Sequence, residues 1–118
     1  MTNGTGTEKA KDPIEDPRKV QTVYIRPGAR PGDPPRVNPK RITLFEKGSS
    51  MNPQKIKWEC AEKFKVKFTS GTPFQKPDYD DAYTESSEPR DGCAVDTPYK
   101  YSVSVNGGTL DPEVIIER

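Results

Sequence analysis

The chain has 118 residues, of which 30% are hydrophobic and 31% charged, and its mean hydropathy is −0.96. This length allows one domain, the net charge of +1 gives no reason to expect a nucleic-acid or membrane partner, and the low hydropathy predicts that part of the chain is unfolded. The sequence contains no histidine, so Ser-His-Asp triads, Cys-His pairs and His-based zinc sites are excluded.

The N-terminal third is rich in proline, with seven of the thirteen prolines before residue 41. Proline fixes φ and lacks the backbone N–H, so such a segment suits neither a helix nor an interior strand. We therefore predict a disordered or extended proline-rich arm over residues 1–36 and a folded domain over residues 37–118. The apolar cluster within residues 20–25 is short enough for an edge strand or an arm that adds to a neighbouring sheet.

Residues 54–68 have the strongest strand signal in the chain. Apolar side chains alternate there with lysines and glutamate in two short runs, namely Ile56, Trp58 and Cys60, then Phe64, Val66 and Phe68. A period of two is typical of strands with one buried face. The pattern predicts a β-hairpin whose apolar face packs against a second sheet and whose lysine face meets solvent.

A long polar stretch follows over residues 75–98. Its acidic residues, together with the lysines of residues 54–68, predict a basic sheet face and an acidic loop. Clustered carboxylates suit a hard cation such as calcium, but the spacing here does not fit an EF-hand loop, so we predict no metal ion and no cofactor. We expect a turn of helix over residues 80–85. The residues of this loop that we predict to bind a ligand or partner are Tyr79, Asp80, Asp81 and Tyr83.

The C-terminal part is predicted to contain two further strands, one before and one after a turn. Tyr99, Tyr101, Val103 and Val105 alternate with polar residues, and Asn106-Gly107-Gly108 is a strong hairpin turn because its central positions tolerate positive φ.

Apolar motifs recur in a recognisable order from residue 37 onward. They are Val37-Asn38-Pro39, Ile42-Thr43-Leu44, Ile56-Lys57-Trp58, Phe64-Lys65-Val66, Pro73-Phe74 and Tyr99-Lys100-Tyr101-Ser102-Val103. This order resembles the cupredoxin-like β-sandwich, as found in domains of unassigned function. The pattern and the resemblance predict an all-β fold, a small antiparallel Greek-key sandwich that is either cupredoxin-like or immunoglobulin-like.

The resemblance does not extend to copper chemistry. Blue-copper members bind the metal through two His, one Cys and a weak axial Met. This chain has no His, and Cys93 precedes the strand that the copper-ligand Cys should follow. We therefore predict a member of this architecture without the metal site.

The two cysteines leave two arrangements open. A disulfide between Cys60 and Cys93 would close a loop of about 30 residues, and could stabilise the fold by roughly 3 to 4 kcal/mol. Two free thiols are the alternative expected in a reducing compartment. The small core favours the bridge. The compartment itself stays open, cytoplasmic if the N-terminus is native and exported if a signal has been removed.

Three functions remain. The first is a non-catalytic protein-binding or assembly module, with a protein partner or self-association. The second is a carbohydrate-binding or small-ligand-binding sandwich, which requires exposed aromatic rings at Phe74, Tyr79 and Tyr83. The third is an enzyme, and we predict against it because the residue inventory offers no nucleophile paired with a base.

Overall fold

The computed structural model describes residues 16–118, which form nine strands after a single 3-10 turn at Pro17–Lys19. The strands are β1 (Val20–Arg26), β2 (Arg36–Asn38), β3 (Arg41–Phe45), β4 (Lys55–Glu59), β5 (Lys65–Phe68), β6 (Asp78–Asp80), β7 (Pro98–Val105), β8 (Gly108–Leu110) and β9 (Glu113–Glu117).

The strands form two sheets. The large sheet has the order β3-β9-β7-β5-β6, with β8 paired to the end of β7, and the small sheet has the order β2-β1-β4. The predicted all-β fold with two sheets is confirmed. Two of the seven strand pairings, β1 with β4 and β3 with β9, are parallel, whereas the prediction was an antiparallel sandwich.

The predicted hairpin over residues 54–68 is wrong. β4 lies in the small sheet beside β1, whereas β5 lies in the large sheet between β6 and β7. The alternation identified both strands correctly because it reports only that each strand has a buried face. Two facing sheets bury such faces against each other, and the link between β4 and β5 carries the chain from one sheet to the other.

The predicted arm also needs correction in its described part. β1 is the middle strand of the small sheet, and its residues Val23 and Ile25 are buried in the core. The domain therefore begins well before residue 37. A strand can form here because β1 contains no proline. Pro17 precedes the strand and Pro27 follows it. The disorder predicted for residues 1–15 lies outside the described residues.

The segment after β6 joins the two sheets along one side of the sandwich. It contains a turn between Asp80 and Tyr83 in place of the predicted helical turn. The chain then runs beside β4, where the Trp58 N–H donates to Thr84 O and the Ser86 N–H donates to Ile56 O, both at 2.8 Å. On the other side, the short link between β2 and β3 carries the chain between the sheets.

The predicted turn between β7 and β8 is confirmed, since Asn106 and Gly107 have φ of 50° and 80°. The β1–β2 loop packs tightly on this turn. The Gly32 N–H donates to Asn106 O at 2.8 Å, and a Cβ on Gly108 would lie 1.8 Å from Asp33 O. Only glycine allows this approach of the two backbones.

An aromatic cluster fills the space between the sheets, with Trp58 at its centre. The rings in contact with one another are Trp58, Phe68, Phe74, Tyr79 and Tyr101. Burial raises the pKa of Tyr101 to about 12, and the neighbouring Trp58 indole partly offsets this increase. Within residues 16–118 no helix is long and apolar enough to cross a membrane.

Candidate functional site

The predicted binding residue Tyr79 belongs to the core. It points inward from β6, is only 4% exposed, and lies with its ring centroid 4.7 Å from that of Trp58. Its hydroxyl donates to Lys76 O at 3.0 Å, and burial raises the pKa of Tyr79 to about 12. A ring in this position anchors β6 and is not exposed for stacking on a ligand.

The other predicted residues of this loop have separate environments. Tyr83 is 64% exposed, with Lys76 Nζ 4.1 Å from its ring centroid. Asp80 Oδ1 accepts hydrogen bonds from the Ala82 and Tyr83 backbone N–H groups, so its carboxylate stabilises the turn, and Asp81 faces solvent. Of the four residues, Tyr79 and Asp80 line one groove on the outer face of the large sheet, whereas Asp81 and Tyr83 lie outside it.

The outer face of the large sheet carries an open groove of about 430 Å³, here called the outer groove. Its charged and hydroxyl-bearing lining residues, apart from Tyr79, are Lys65, Lys67, Thr69, Asp78, Asp80, Ser102 and Ser104. Strand register places each lysine between an acid and a serine, Lys65 between Asp80 and Ser104 and Lys67 between Asp78 and Ser102. Opposite charges in facing positions stabilise a sheet, so the register of β5 and β6 places an acid beside each lysine of this groove.

Charge compensation continues across the same sheet at Glu113. Arg41 Nε donates to Glu113 Oε1 at 2.6 Å, and Lys100 Nζ lies 3.5 Å from Glu113 Oε2. Burial acts to raise the pKa of Glu113, but the hydrogen bond and charge of Arg41, together with Lys100, outweigh it and leave that pKa lowered. The carboxylate is therefore held in its charged form between two cations.

The stretch predicted as an acidic loop is in part a strand. Its strand β6 pairs directly with β5, one of the two lysine-bearing strands. Further along, Glu85 forms an isolated β-bridge with Lys57 through the backbone, and the Glu88 carboxylate lies 3.8 Å from Lys19 Nζ. The acidic stretch therefore lies beside both lysine-bearing strands.

A different arrangement occupies the outer face of the small sheet, where four residues line a groove of about 290 Å³. We call this surface the arginine face, formed by Tyr24 and Arg26 on β1 and Arg36 and Asn38 on β2. Tyr24 is 52% exposed and lies opposite Asn38, and Arg26 lies directly opposite Arg36.

The facing arginines of this surface are unusual. Like charges directly opposite each other destabilise a strand pair, and within residues 16–118 no acidic side chain lies within ion-pair distance of Arg26 or Arg36. The nearest acid in register is Glu59, which adjoins Tyr24 from β4 and lines a second groove, on the side away from β2, together with Tyr24 and Arg26. The arginine pair therefore projects positive charge into solvent beside an exposed aromatic ring.

The sequence analysis did not predict the arginine face, although the outward orientation of Tyr24 and Arg26 was predictable. Val23 and Ile25 have the same parity and are buried, so Tyr24 and Arg26 must face outward together. The position of Arg36 and Asn38 depends on the pairing of β1 with β2 across a loop of prolines and glycines, within and beside the residues predicted to form an arm.

The predicted disulfide is not formed, and Cys60 and Cys93 are free thiols. Cys60 directly follows β4 and Cys93 lies in the segment before β7, and both pack against the core without a bond between them. Burial raises the pKa of the Cys93 thiol, with a partial offset from Arg90, so this thiol is not activated.

Among residues 16–118 no group of three or more His, Cys, Asp or Glu side chains is arranged to hold a metal ion. No protein-family model, curated protein or solved structure matches this chain.

Proposed function

We propose that this protein is a non-catalytic protein-binding module and that the arginine face is its contact surface. The observation that carries the proposal is Tyr24, which stands half-exposed on a sheet face beside two arginines. Tyrosine and arginine are enriched at the energetic centres of protein interfaces, because each offers a large contact area together with hydrogen-bonding groups.

The surroundings of Tyr24 support a rigid contact surface. β1 is held on both sides, by β2 and by β4, and its inward residues Val23 and Ile25 are packed in the core. A ring fixed on such a strand loses little conformational freedom when a partner covers it, so more of the contact energy remains as affinity.

Peptide display on the folded full chain tests this proposal. We expect random dodecapeptides selected on the wild-type protein to lose binding to Tyr24→Ala, because the central aromatic contact is removed. The matched variant is Tyr83→Ala, which removes the other highly exposed tyrosine at the far edge of the large sheet. Loss of binding with Tyr83→Ala alone would place the contact in the acidic stretch and contradict the proposal.

Self-association is a specific form of this function, in which a second copy of the chain covers the arginine face. Sedimentation analysis of wild type and Tyr24→Ala distinguishes it from a foreign partner. A dimer that dissociates in the variant would identify the second copy as the occupant, whereas a wild-type monomer would leave the surface to another protein.

The outer groove favours a second candidate function, binding of a carbohydrate or another small polar ligand. Its serines and charged side chains offer both donors and acceptors along an open trough. Against it, two of the three aromatic rings required for stacking, Phe74 and Tyr79, are buried. A glycan array probed with wild type and Ser102→Ala/Ser104→Ala tests this candidate, which requires binding that the double variant loses.

The cupredoxin-like relation is part of the same proposal. In it, the protein retains a two-sheet sandwich without the copper ligands and uses a sheet face for recognition. Comparison of the strand order β3-β9-β7-β5-β6 with that of the cupredoxins tests the relation, since a different order would remove it without affecting the binding function.

A further inference from the structure

We propose that the arginine face recognises an acidic segment of its protein partner, whose carboxylates bind between Arg26 and Arg36. This inference rests on the proposed binding function and specifies the chemistry of the partner. The starting point is the cross-strand pair itself, because two arginines in facing positions repel each other in the free protein. An anion placed between them removes that repulsion and gains two charge-assisted contacts.

The guanidinium groups suit a carboxylate better than they suit a diffuse anionic surface. A guanidinium presents its N–H donors in a planar fork that matches the two oxygens of a carboxylate. With Cβ atoms of facing residues roughly 5 Å apart, the two side chains can reach the same carboxylate or adjacent ones. Neither arginine has an acidic partner within residues 16–118, so their donors are available to a ligand.

The position of the local acid gives the site a direction. Glu59 adjoins Tyr24 from the β4 side and disfavours an anion there, whereas Asn38 adjoins it from the β2 side. We therefore place the acidic residue over β1 and β2 and an apolar neighbour of it against the Tyr24 ring. The Asn38 amide offers one donor group and one acceptor to the peptide backbone.

Addition of a strand to the free edge of β2 is the less favoured geometry. β2 has only three residues, and Pro35 and Pro39 flank it. Proline supplies no backbone donor, so this edge offers a short ladder at most. Recognition through side chains across the face is the better use of this surface.

An acidic peptide also fits better than a nucleic acid or a sulfated polysaccharide. Those polymers need long basic tracks, and single-stranded nucleic acids also need several stacking aromatics, whereas this face has two arginines and one exposed ring. Net charge on the whole chain is only +1, which gives little general attraction for a polyanion. The small groove matches one or two side chains of a peptide.

The test uses the dodecapeptides selected on the full-length wild-type chain. We expect their sequences to be enriched in Asp and Glu relative to the library, with an apolar residue near the acid. The Arg26→Gln/Arg36→Gln variant should bind the consensus peptide about ten-fold more weakly or worse, measured by fluorescence anisotropy. Raising the salt concentration should weaken wild-type binding and affect the variant less.

The charge-matched control is Lys47→Gln/Arg118→Gln, which removes two exposed positive charges at another part of the surface. It should retain wild-type affinity within about two-fold, because distant exposed charges are screened. Thermal denaturation of each variant verifies that it is folded before binding is measured.

The outcomes separate this inference from the proposed function. Selected peptides without acidic enrichment, or equal binding to wild type and to Arg26→Gln/Arg36→Gln, would overturn the acidic partner. If binding still depended on Tyr24, the proposed binding function would stand. Binding that depends on neither Tyr24 nor the arginines would overturn both. Tighter binding of a heparin decasaccharide or an oligothymidylate than of the consensus peptide, lost on arginine substitution, would replace the peptide by that polyanion.

Discussion

The outer faces of the two sheets differ in how their charged side chains are paired. On the large sheet, register places each lysine of the outer groove opposite an acid, and Glu113 lies between two cations. On the small sheet, Arg26 and Arg36 face each other without an acidic partner among the described residues. The proposed acidic partner rests on this difference, because an anion over the arginine pair would supply the charge that the small sheet lacks there.

The largest effect is expected at Trp58, which packs between the two sheets and therefore supports both of them. Its side chain is fully buried between the sheets, so Trp58→Ala should lower the free energy of unfolding by about 3–5 kcal/mol. Chemical denaturation followed by circular dichroism measures this loss. A single transition is expected in the variant, and separate transitions for the two sheets would show that each face has its own stability.

The next effect concerns the attachment of the arginine-bearing strands to the large sheet. Gly108→Ala should cost about 3 kcal/mol, because the new Cβ collides with the Asp33 carbonyl and a main chain cannot move aside cheaply. Hydrogen exchange at the Gly32 amide should accelerate, since its bond to Asn106 is lost. The control is Gly48→Ala, where the space is open and only the positive φ costs, by about 1 kcal/mol.

Glu113→Gln makes the large sheet resemble the small one, because Arg41 and Lys100 lose the charge between them. The pKa of Glu113 is lowered in the folded protein, so its contribution to stability is present above the ordinary carboxyl pKa and is lost as the pH falls. We expect a lower Tm at neutral pH and a difference that shrinks in acid.

Calorimetry across a pH series measures that difference. Glu117→Gln is the control, since this glutamate is on the same strand but exposed. An equal Tm for wild type and Glu113→Gln at neutral pH would contradict the proposed compensation.

Arg36→Glu makes the small sheet resemble the large one. The new carboxylate faces Arg26, so the variant should be more stable than wild type by about 0.5 kcal/mol at low salt. Denaturant titration at low and high salt measures this gain, which should shrink as salt rises. Lys47→Glu, in an exposed turn, should show no comparable gain, and a less stable Arg36→Glu variant would remove the argument from repulsion.

The strands were predictable because they rest on local alternation. Val66 and Phe68, or Tyr101 and Val103, are buried as the period of two requires. Pairing was not predictable from the same signal. The parallel pair β3 and β9 joins residues about seventy positions apart, as the contact between Arg41 and Glu113 illustrates, and alternation contains no information about the partner.

The candidate site was harder to predict than the fold for the same reason. Tyr79 was predicted to bind because it lies in a long acidic stretch, but pairing with β5 turned its ring into the core. Arg26 and Arg36 are ten residues apart in a segment that composition marks as a connector. Only the pairing of β1 with β2 brings them together.

The position of β9 has a consequence for how the molecule forms on the ribosome. β9 is translated last of the nine strands, yet it lies inside the large sheet between β3 and β7. Until it emerges, β3 has no neighbour in that sheet and its apolar side chains Ile42 and Leu44 lack their native cover. The large sheet therefore closes only after nearly all of this sequence has been made, and a nascent chain stalled before residue 113 exposes an apolar gap that chaperones would recognise.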